Sequence, residues 1–159
     1  MLSVKIITVG TLKEAYLRDA VAEYSKRLSA FCKLSIVQLK ESKLTDSPSD
    51  KEIAAALDSE AKSILAEVSP RSYKIAMCVE GKQMPSEKLA QTLERIAGEA
   101  SEVCFMIGSS FGLSDKVKSA ADMKLSVSEL TFPHQLLRVM LLESIYRAFS
   151  ITAGTKYHK

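Results

Sequence analysis

The sequence is short of cysteines, long apolar runs and excess charge, and each shortage excludes a class of protein. Its three cysteines, Cys32, Cys78 and Cys104, are odd in number and form no CxxC pair, so we expect reduced thiols. No apolar run reaches the roughly 18 residues that a membrane span requires. The first residues lack the charged-then-apolar layout of a signal peptide. These absences predict a cytoplasmic protein with no membrane segment.

Charge is nearly balanced along the chain. The net charge is +3, from 22 Lys and Arg against 19 Asp and Glu. A protein that binds nucleic acid mainly by electrostatics normally carries a denser basic patch. The small excess therefore permits a phosphate-bearing partner without requiring one.

Histidine is also scarce, with His134 and His158 the only two. Neither has the nearby carboxylate spacing of a metal motif, so we predict no metal site. No Ser-His-Asp or Cys-His arrangement is readable. His134 falls at a predicted helix start, which favours a structural role. A histidine in a terminal tail is, taken alone, most often a spectator.

What the sequence does contain is a regular alternation of strand and helix signals over 159 residues, 47% of them apolar. Short apolar runs predict strands over residues 4–9, 34–39, 73–79, 103–107 and 125–130, and helical periodicity lies between most of them. Ser49 or Asp50, Ser86 and Ser114 are predicted helix caps. We therefore predict one domain over residues 1–159, an α/β fold with a mostly parallel sheet and helices on both faces. Ligands of such sheets bind beyond the carboxyl ends of the strands, here in loops 80–84, 108–114 and 126–134.

The loop Ile107-Gly108-Ser109-Ser110-Phe111-Gly112 follows a predicted buried strand. Glycines in this place let backbone N–H groups approach a ligand closely. The spacing matches neither the dinucleotide nor the triphosphate fingerprint. A ligand-binding loop and a simple tight turn are both open interpretations.

A second candidate is the segment 127–134, which mixes small polar and apolar residues. Its backbone could bind a purine edge through N–H and C=O groups. The alternative is an ordinary loop in which Thr131 caps the next helix. Pro133 suits the first turn of that helix, which we predict over residues 133–150.

That last helix is apolar around most of its circumference, so it must be buried on all sides. It lies either inside the domain or at a subunit interface, and the small size of the domain favours a homodimer interface. Glu143 and Arg147, spaced i, i+4, are expected to pair. Arg138 has no such partner in the helix, and it either faces a ligand or pairs with another helix.

Several segments together resemble the RlmH family, the smallest type of SPOUT-class methyltransferase, which acts on 23S ribosomal RNA. They are Thr8-Val9-Gly10, Ile107-Gly108-Ser109-Ser110-Phe111-Gly112-Leu113, Leu130-Thr131-Phe132-Pro133-His134-Gln135, Arg138-Val139, Tyr146-Arg147-Ala148 and the terminal Tyr157-His158-Lys159. The resemblance implies an α/β sheet whose C-terminal part forms a trefoil knot. It also implies S-adenosylmethionine as cofactor and a cytoplasmic homodimer. The implied substrate is a pseudouridine in a hairpin of 23S rRNA on the assembled ribosome, methylated at N3.

The family's site positions carry over onto matching residues. The implied cofactor contacts are Met77, Gly108, Val127, Ser128, Glu129, Leu130, Thr131 and Phe132. Methylation at N3 displaces a proton, so a base or a water chain is needed. Because its imidazole titrates near neutrality, His158 is the candidate base or substrate positioner, with Tyr157 and Arg138 beside it in the catalytic set. Lys156 and Lys159 are candidate RNA contacts.

Two other classes of function fit parts of the same sequence. One is a catalytically idle RNA- or ribosome-binding module on the same fold, which would bind no cofactor. The other is a flavodoxin-like nucleotide-binding regulator, which the α/β alternation alone allows. The regulator would have no use for the terminal Tyr157-His158-Lys159 or for a dimer through the last helix.

Overall fold

The computed structural model describes residues 1–159, in which five strands and five helices alternate. The strands are β1 (Ser3–Val9), β2 (Lys33–Leu39), β3 (Tyr73–Lys82), β4 (Glu102–Ile107) and β5 (Met123–Leu125). The helices are α1 (Ala15–Leu28), α2 (Asp50–Glu67), α3 (Ser86–Glu99), α4 (Asp115–Ala120) and α5 (His134–Thr152). This alternation is the one that the sequence predicts.

All strands pair in parallel, in the order β2-β1-β4-β3-β5. The prediction of a mostly parallel α/β sheet is confirmed. Apolar side chains fill both faces of the central strands, because helices cover both faces of a parallel sheet. The chain leaves β1 and β4 toward opposite edges, so the strand order switches between these two neighbours. The carboxyl ends of the strands at this switch are where α/β folds bind ligands.

Alternate residues of each strand belong to two separate cores. On one face, Val4, Phe105 and Ile107 pack with side chains of α1, α3 and α5. On the other face, Ile7 and Met106 pack with side chains of α2 and α4. The three cysteines are free, and burial raises the pKa of Cys32 to about 11 and that of Cys104 to about 12. Both thiols therefore stay protonated and act as small apolar side chains.

Helix α5 packs against α1 and α3 and is partly enclosed by the domain itself. Its fully buried apolar residues are Leu141, Leu142, Ile145 and Ala148. Several others are only half-buried, among them Val139, Met140, Tyr146 and Phe149. The apolar circumference is thus divided between a covered face and a partly open one.

Three local predictions differ from the structure. The fifth strand ends at Leu125 instead of continuing to residue 130, and β3 continues to Lys82. Ser86 is the first residue of α3, whose N-cap is Pro85. By contrast Ser49 forms a capping box with Glu52, as its spacing predicts, and the Ser114 hydroxyl accepts from the N–H of Val117.

Candidate active site

A cavity of about 730 Å³ lies at the carboxyl ends of β3, β4 and β5. It begins at β4, beside the switch in strand order, and extends over β3 and β5. Two of the three loops that the sequence singles out line it extensively, with residues 108–113 after β4 and most of residues 126–134 after β5. Loop 80–84 contributes only Glu80, because β3 continues to Lys82, and the neighbouring wall residues Cys78 and Val79 belong to that strand.

The glycine loop closes on itself at the cavity wall. A Cβ atom on Gly108 would lie 2.2 Å from the carbonyl oxygen of Gly112, so no larger residue fits there without a backbone shift. Gly112 has φ of 85°, and its N–H donates to the Ser109 oxygen over 2.9 Å. No residue other than glycine has a positive φ, so Ser109 is unstrained. The loop is a tight turn that also forms part of the cavity wall, and its binding of a ligand stays a prediction.

The segment 126–133 is held in an irregular conformation by its own polar groups. The Ser126 N–H donates to the Lys82 oxygen over 3.0 Å, and the Ser126 hydroxyl donates to the Ser128 oxygen over 2.8 Å. The Ser128 hydroxyl in turn accepts from the Leu130 N–H over 3.0 Å. The first bond is a last main-chain contact with β3, and the two serine hydroxyl bonds are local to the segment, where the pairing with β3 does not continue beyond Leu125. Pro133, not Thr131, is the N-cap of α5.

An ion pair forms the charged part of the cavity wall. The Lys118 ammonium lies 2.6 Å from the Glu80 carboxylate, and both residues line the cavity. Their hydrogen bond raises the pKa of Lys118 and lowers that of Glu80. Burial raises the pKa of Cys78, on the same wall, so its thiol stays neutral. A cation and an anion side by side suit a zwitterionic group on a ligand.

The first turn of α5 brings His134 to the cavity, together with Leu137. No side-chain hydrogen bond involves the His134 ring. Burial lowers its pKa, and nearby Arg138 and Lys13 lower it further, whereas Glu41 opposes them. The imidazole is therefore neutral at neutral pH, with a free nitrogen lone pair.

Arg138, one turn later, is 3% exposed and anchors α5 to the end of β1. Its Nη2 donates to the carbonyl oxygens of Val9 over 3.0 Å and Gly10 over 2.9 Å. Nε and Nη1 are buried without a protein acceptor, and burial lowers the pKa of the guanidinium. The partner of Arg138 is thus strand backbone, which neither sequence interpretation includes. Its side chain does not line the cavity.

The terminal residues dock on the opposite half of α5, in a group that we call the tail cluster: Glu87, Glu143, Arg147, Tyr157 and His158. The Tyr157 hydroxyl donates to Glu143 over 2.7 Å, and Arg147 pairs with Glu143 over 2.8 Å, as the i, i+4 spacing predicts. His158 Nδ1 lies 3.3 Å from Arg147 Nη1, and its Nε2 lies 2.8 Å from Glu87. Burial raises the pKa of Glu143, but hydrogen bonds from Tyr24, Tyr157 and Arg147 outweigh it and the net shift is downward.

The tail cluster is displaced from the cavity along α5. A rise of 1.5 Å per residue places the Cα atoms of Glu143 and Arg147 roughly 13 and 20 Å from that of His134 along the helix axis. Tyr157 and His158 do not line the cavity of their own chain, and Lys156 and Lys159 are exposed beside them.

The structure therefore brings together most of the residues expected to hold a cofactor. Met77, Gly108, Val127, Ser128, Leu130, Thr131 and Phe132 line the cavity. Glu129 is exposed and does not. Sequence reasoning missed Glu80, Lys118 and His134 as wall residues. Glu80 and His134 fall in two of the predicted ligand-binding loops, and that was the available signal.

No group of three or more His, Cys, Asp and Glu side chains could hold a metal ion. No helix is both long and apolar enough to cross a membrane.

An open parallel α/β sheet with a glycine-turn cavity at its carboxyl edge defines a ligand-binding α/β protein. The family model described as "Predicted SPOUT methyltransferase" matches residues 2–158. The chain therefore belongs to the SPOUT methyltransferases, and it is a methyltransferase. A relative named ribosomal RNA large subunit methyltransferase H, 50% identical over 99% of this chain, assigns it to the RlmH family within them.

Relatives support this assignment over the full length. Proteins named ribosomal RNA large subunit methyltransferase H are 50% identical in Streptococcus thermophilus, 46% in Bacillus pumilus and 45% in Clostridioides difficile. Each similarity covers 99% of this chain and 100% of the relative. A probable methylase family protein from Haemophilus influenzae has a similar fold, with a TM-score of 0.55 at 14% identity over 100% of this chain and 72% of that one.

Proposed function

We propose that this methyltransferase transfers the methyl group of S-adenosylmethionine to N3 of a pseudouridine in 23S ribosomal RNA, on the assembled ribosome. The observation that carries the proposal is the cavity at the carboxyl edge, walled by the glycine loop and by residues 126–133. The family and the names of the relatives supply the reaction class and the RNA. The cavity volume of about 730 Å³ lies within the range of small-molecule sites, roughly 300–1,000 Å³.

The residues at the cavity fit this cofactor. Met77 offers a buried apolar surface for the nucleoside, and the tight turn at Gly108 exposes backbone groups to it. Residues 127–132 supply further backbone groups. Lys118 and Glu80 match the carboxylate and the ammonium of the methionyl end. When bound, the cofactor supplies a methyl group on a sulfonium, which needs orientation more than activation.

A homodimer is part of the proposal. The open face of α5 carries half-buried Leu136, Val139 and Met140, which do not pack against the core and form an apolar surface that a second copy of the chain would cover. In this dimer the tail of one subunit would serve the cavity of the other, because Tyr157 and His158 do not line their own. Lys156 and Lys159, exposed beside the tail cluster, would then contact RNA phosphates.

The chain topology and the cellular compartment are also part of the proposal. We propose that residues 1–159 form a single SPOUT domain whose C-terminal part is knotted. The adjacency of loop 108–113 and segment 126–133 in one cavity wall supports this. An experimental electron-density map traced from β4 to α5 tests the knot directly. Ribosomal RNA as substrate implies a cytoplasmic enzyme.

Two measurements on the full chain test the reaction. Calorimetry should detect binding of S-adenosylmethionine, and tritiated methyl groups should enter 23S rRNA of ribosomes that lack this modification. Mass spectrometry of nuclease fragments then locates the methyl group on the base. Ribosome binding without cofactor binding would instead identify a catalytically idle RNA-binding module.

A further inference from the structure

The chain has two histidines, and they lie in opposite environments. His158 is engaged by Glu87 and Arg147 in the tail cluster, outside the cavity of its chain. His134 lines the cavity and has no hydrogen-bond partner. A general base must be within reach of the proton that it removes. The location of each histidine is therefore a stronger criterion for this role than its pKa.

We propose that His134 accepts the proton that the substrate nitrogen loses during methyl transfer. The inference rests on the proposed function, because only a protonated ring nitrogen requires such a group. Of the side chains at the cavity, Lys118 is already paired with Glu80, and the Cys78 thiol is kept neutral by burial. His134 is thus the unengaged basic group of the wall.

The start of α5 holds His134 in place. Arg138 fixes the first turns of the helix to the end of β1 through the two carbonyls of Val9 and Gly10. The first helical bond, from the Leu137 N–H to the Pro133 oxygen, measures 3.0 Å. A proton acceptor built on an anchored helix turn is held accurately at the cavity wall.

The electrostatic environment keeps the imidazole in its basic form. Burial is the largest influence on the pKa of His134 and lowers it. The positive charges of Arg138, on α5, and of Lys13, which precedes α1, lower this pKa further. Glu41, after β2, is the opposing charge, and the opposite wall carries the Glu80–Lys118 pair. A lowered pKa means that the neutral ring dominates at neutral pH and is lost only as the pH falls through that pKa.

The step balances in atoms and electrons. The lone pair of N3 forms the new bond to the methyl carbon, and the electrons of the carbon–sulfur bond return to sulfur, giving the neutral thioether. The N3 proton moves to a ring nitrogen of His134, which becomes imidazolium and later releases the proton to water. No oxidant, metal or further reactant is required.

The test compares His134→Gln and His134→Asn with the wild type on ribosomes lacking the modification. In the wild type the rate should rise with pH as His134 loses its proton and should level off above the His134 pKa. This rising part of the pH–rate profile is its acidic limb. In both variants kcat should fall by about 10²-fold or more, and this limb should disappear. In a His158→Gln control the limb should keep its midpoint, whatever the absolute rate.

Two readouts without turnover complete the test. Calorimetry should give the same affinity for S-adenosylmethionine in His134→Gln as in the wild type. NMR titration of the ring protons, assigned with the His158→Gln control, should give His134 a pKa below its ordinary value. A variant rate within threefold of the wild type, a retained limb, or a tenfold loss of cofactor affinity would overturn the assignment. A wild type that transfers no methyl group would instead sink the proposed function itself.

Discussion

The two ends of α5 differ in what they contact. At its first turn the helix meets a cavity, and its side chain there, His134, is unpaired. In its later turns it meets the tail of the same chain, and Glu143 and Arg147 are engaged in ion pairs and hydrogen bonds. Unpaired polar groups inside a cavity are poised for a ligand, whereas satisfied ones stabilise a docked conformation. One helix thus has an unpaired histidine at a cavity near one end and a docked tail of the same chain near the other.

The strongest disturbance at the cavity end should come from Gly108→Ala. Its Cβ atom would meet the backbone of Gly112, so the loop must move and cofactor binding should be lost. We expect a drop in unfolding free energy of about 3 kcal/mol. Gly98→Ala is the matched control, because nothing lies within 4 Å of its Cβ position in α3. That variant should gain about 0.5–1 kcal/mol in urea denaturation. Equal behaviour of the two variants would contradict the account of the loop.

The second largest effect is expected at Arg138, which anchors α5 to the end of β1. Arg138→Ala removes two charge-assisted hydrogen bonds to the end of β1 and leaves a cavity. It should lower the unfolding free energy by about 2 kcal/mol. Arg138→Lys keeps a charge and some donors, so its loss should be smaller. Denaturation of both variants measures this difference, and an unchanged Arg138→Ala protein would show that the anchor contributes nothing.

A smaller effect is expected at the charged wall. Lys118→Met removes the cation proposed for the methionyl carboxylate, and calorimetry should show a five- to tenfold weaker cofactor affinity, about 1 kcal/mol. Lys116→Met is the control on the same helix, since Lys116 pairs with Asp58 outside the cavity. If both variants bind as tightly as the wild type, the ion pair has no part in binding.

The α/β fold and the location of the cavity could both be predicted from the sequence. Apolar runs in the strands and the 3.6-residue period of the helices depend on local order, so the α/β alternation is readable from them. Ligands of parallel sheets bind beyond the carboxyl ends of the strands, so the predicted strand ends also indicate which loops line the cavity. Met77 and Gly108 were assigned by family resemblance, and both line the cavity.

What escaped prediction depends on contacts between distant parts of the chain. The Glu80–Lys118 pair joins β3 to α4, and Arg138 bonds to strand backbone that precedes it by more than a hundred residues. β5 ends early, at Leu125, and beyond it serine hydroxyls bond to nearby backbone. His134 was interpreted as structural because a helix start is an ordinary place for a satisfied polar side chain. Only the folded chain shows that it faces a cavity.

A mixed dimer tests the division between the two ends of α5 most directly. One subunit carries His134→Gln with an intact tail, and the other has an intact cavity but lacks residues 157–159. Both parent homodimers should be nearly inactive on ribosomes. The purified mixed dimer should recover about half the wild-type rate, because one of its two cavities is then served by a partner's tail. A mixed dimer as inactive as its parents would contradict the account.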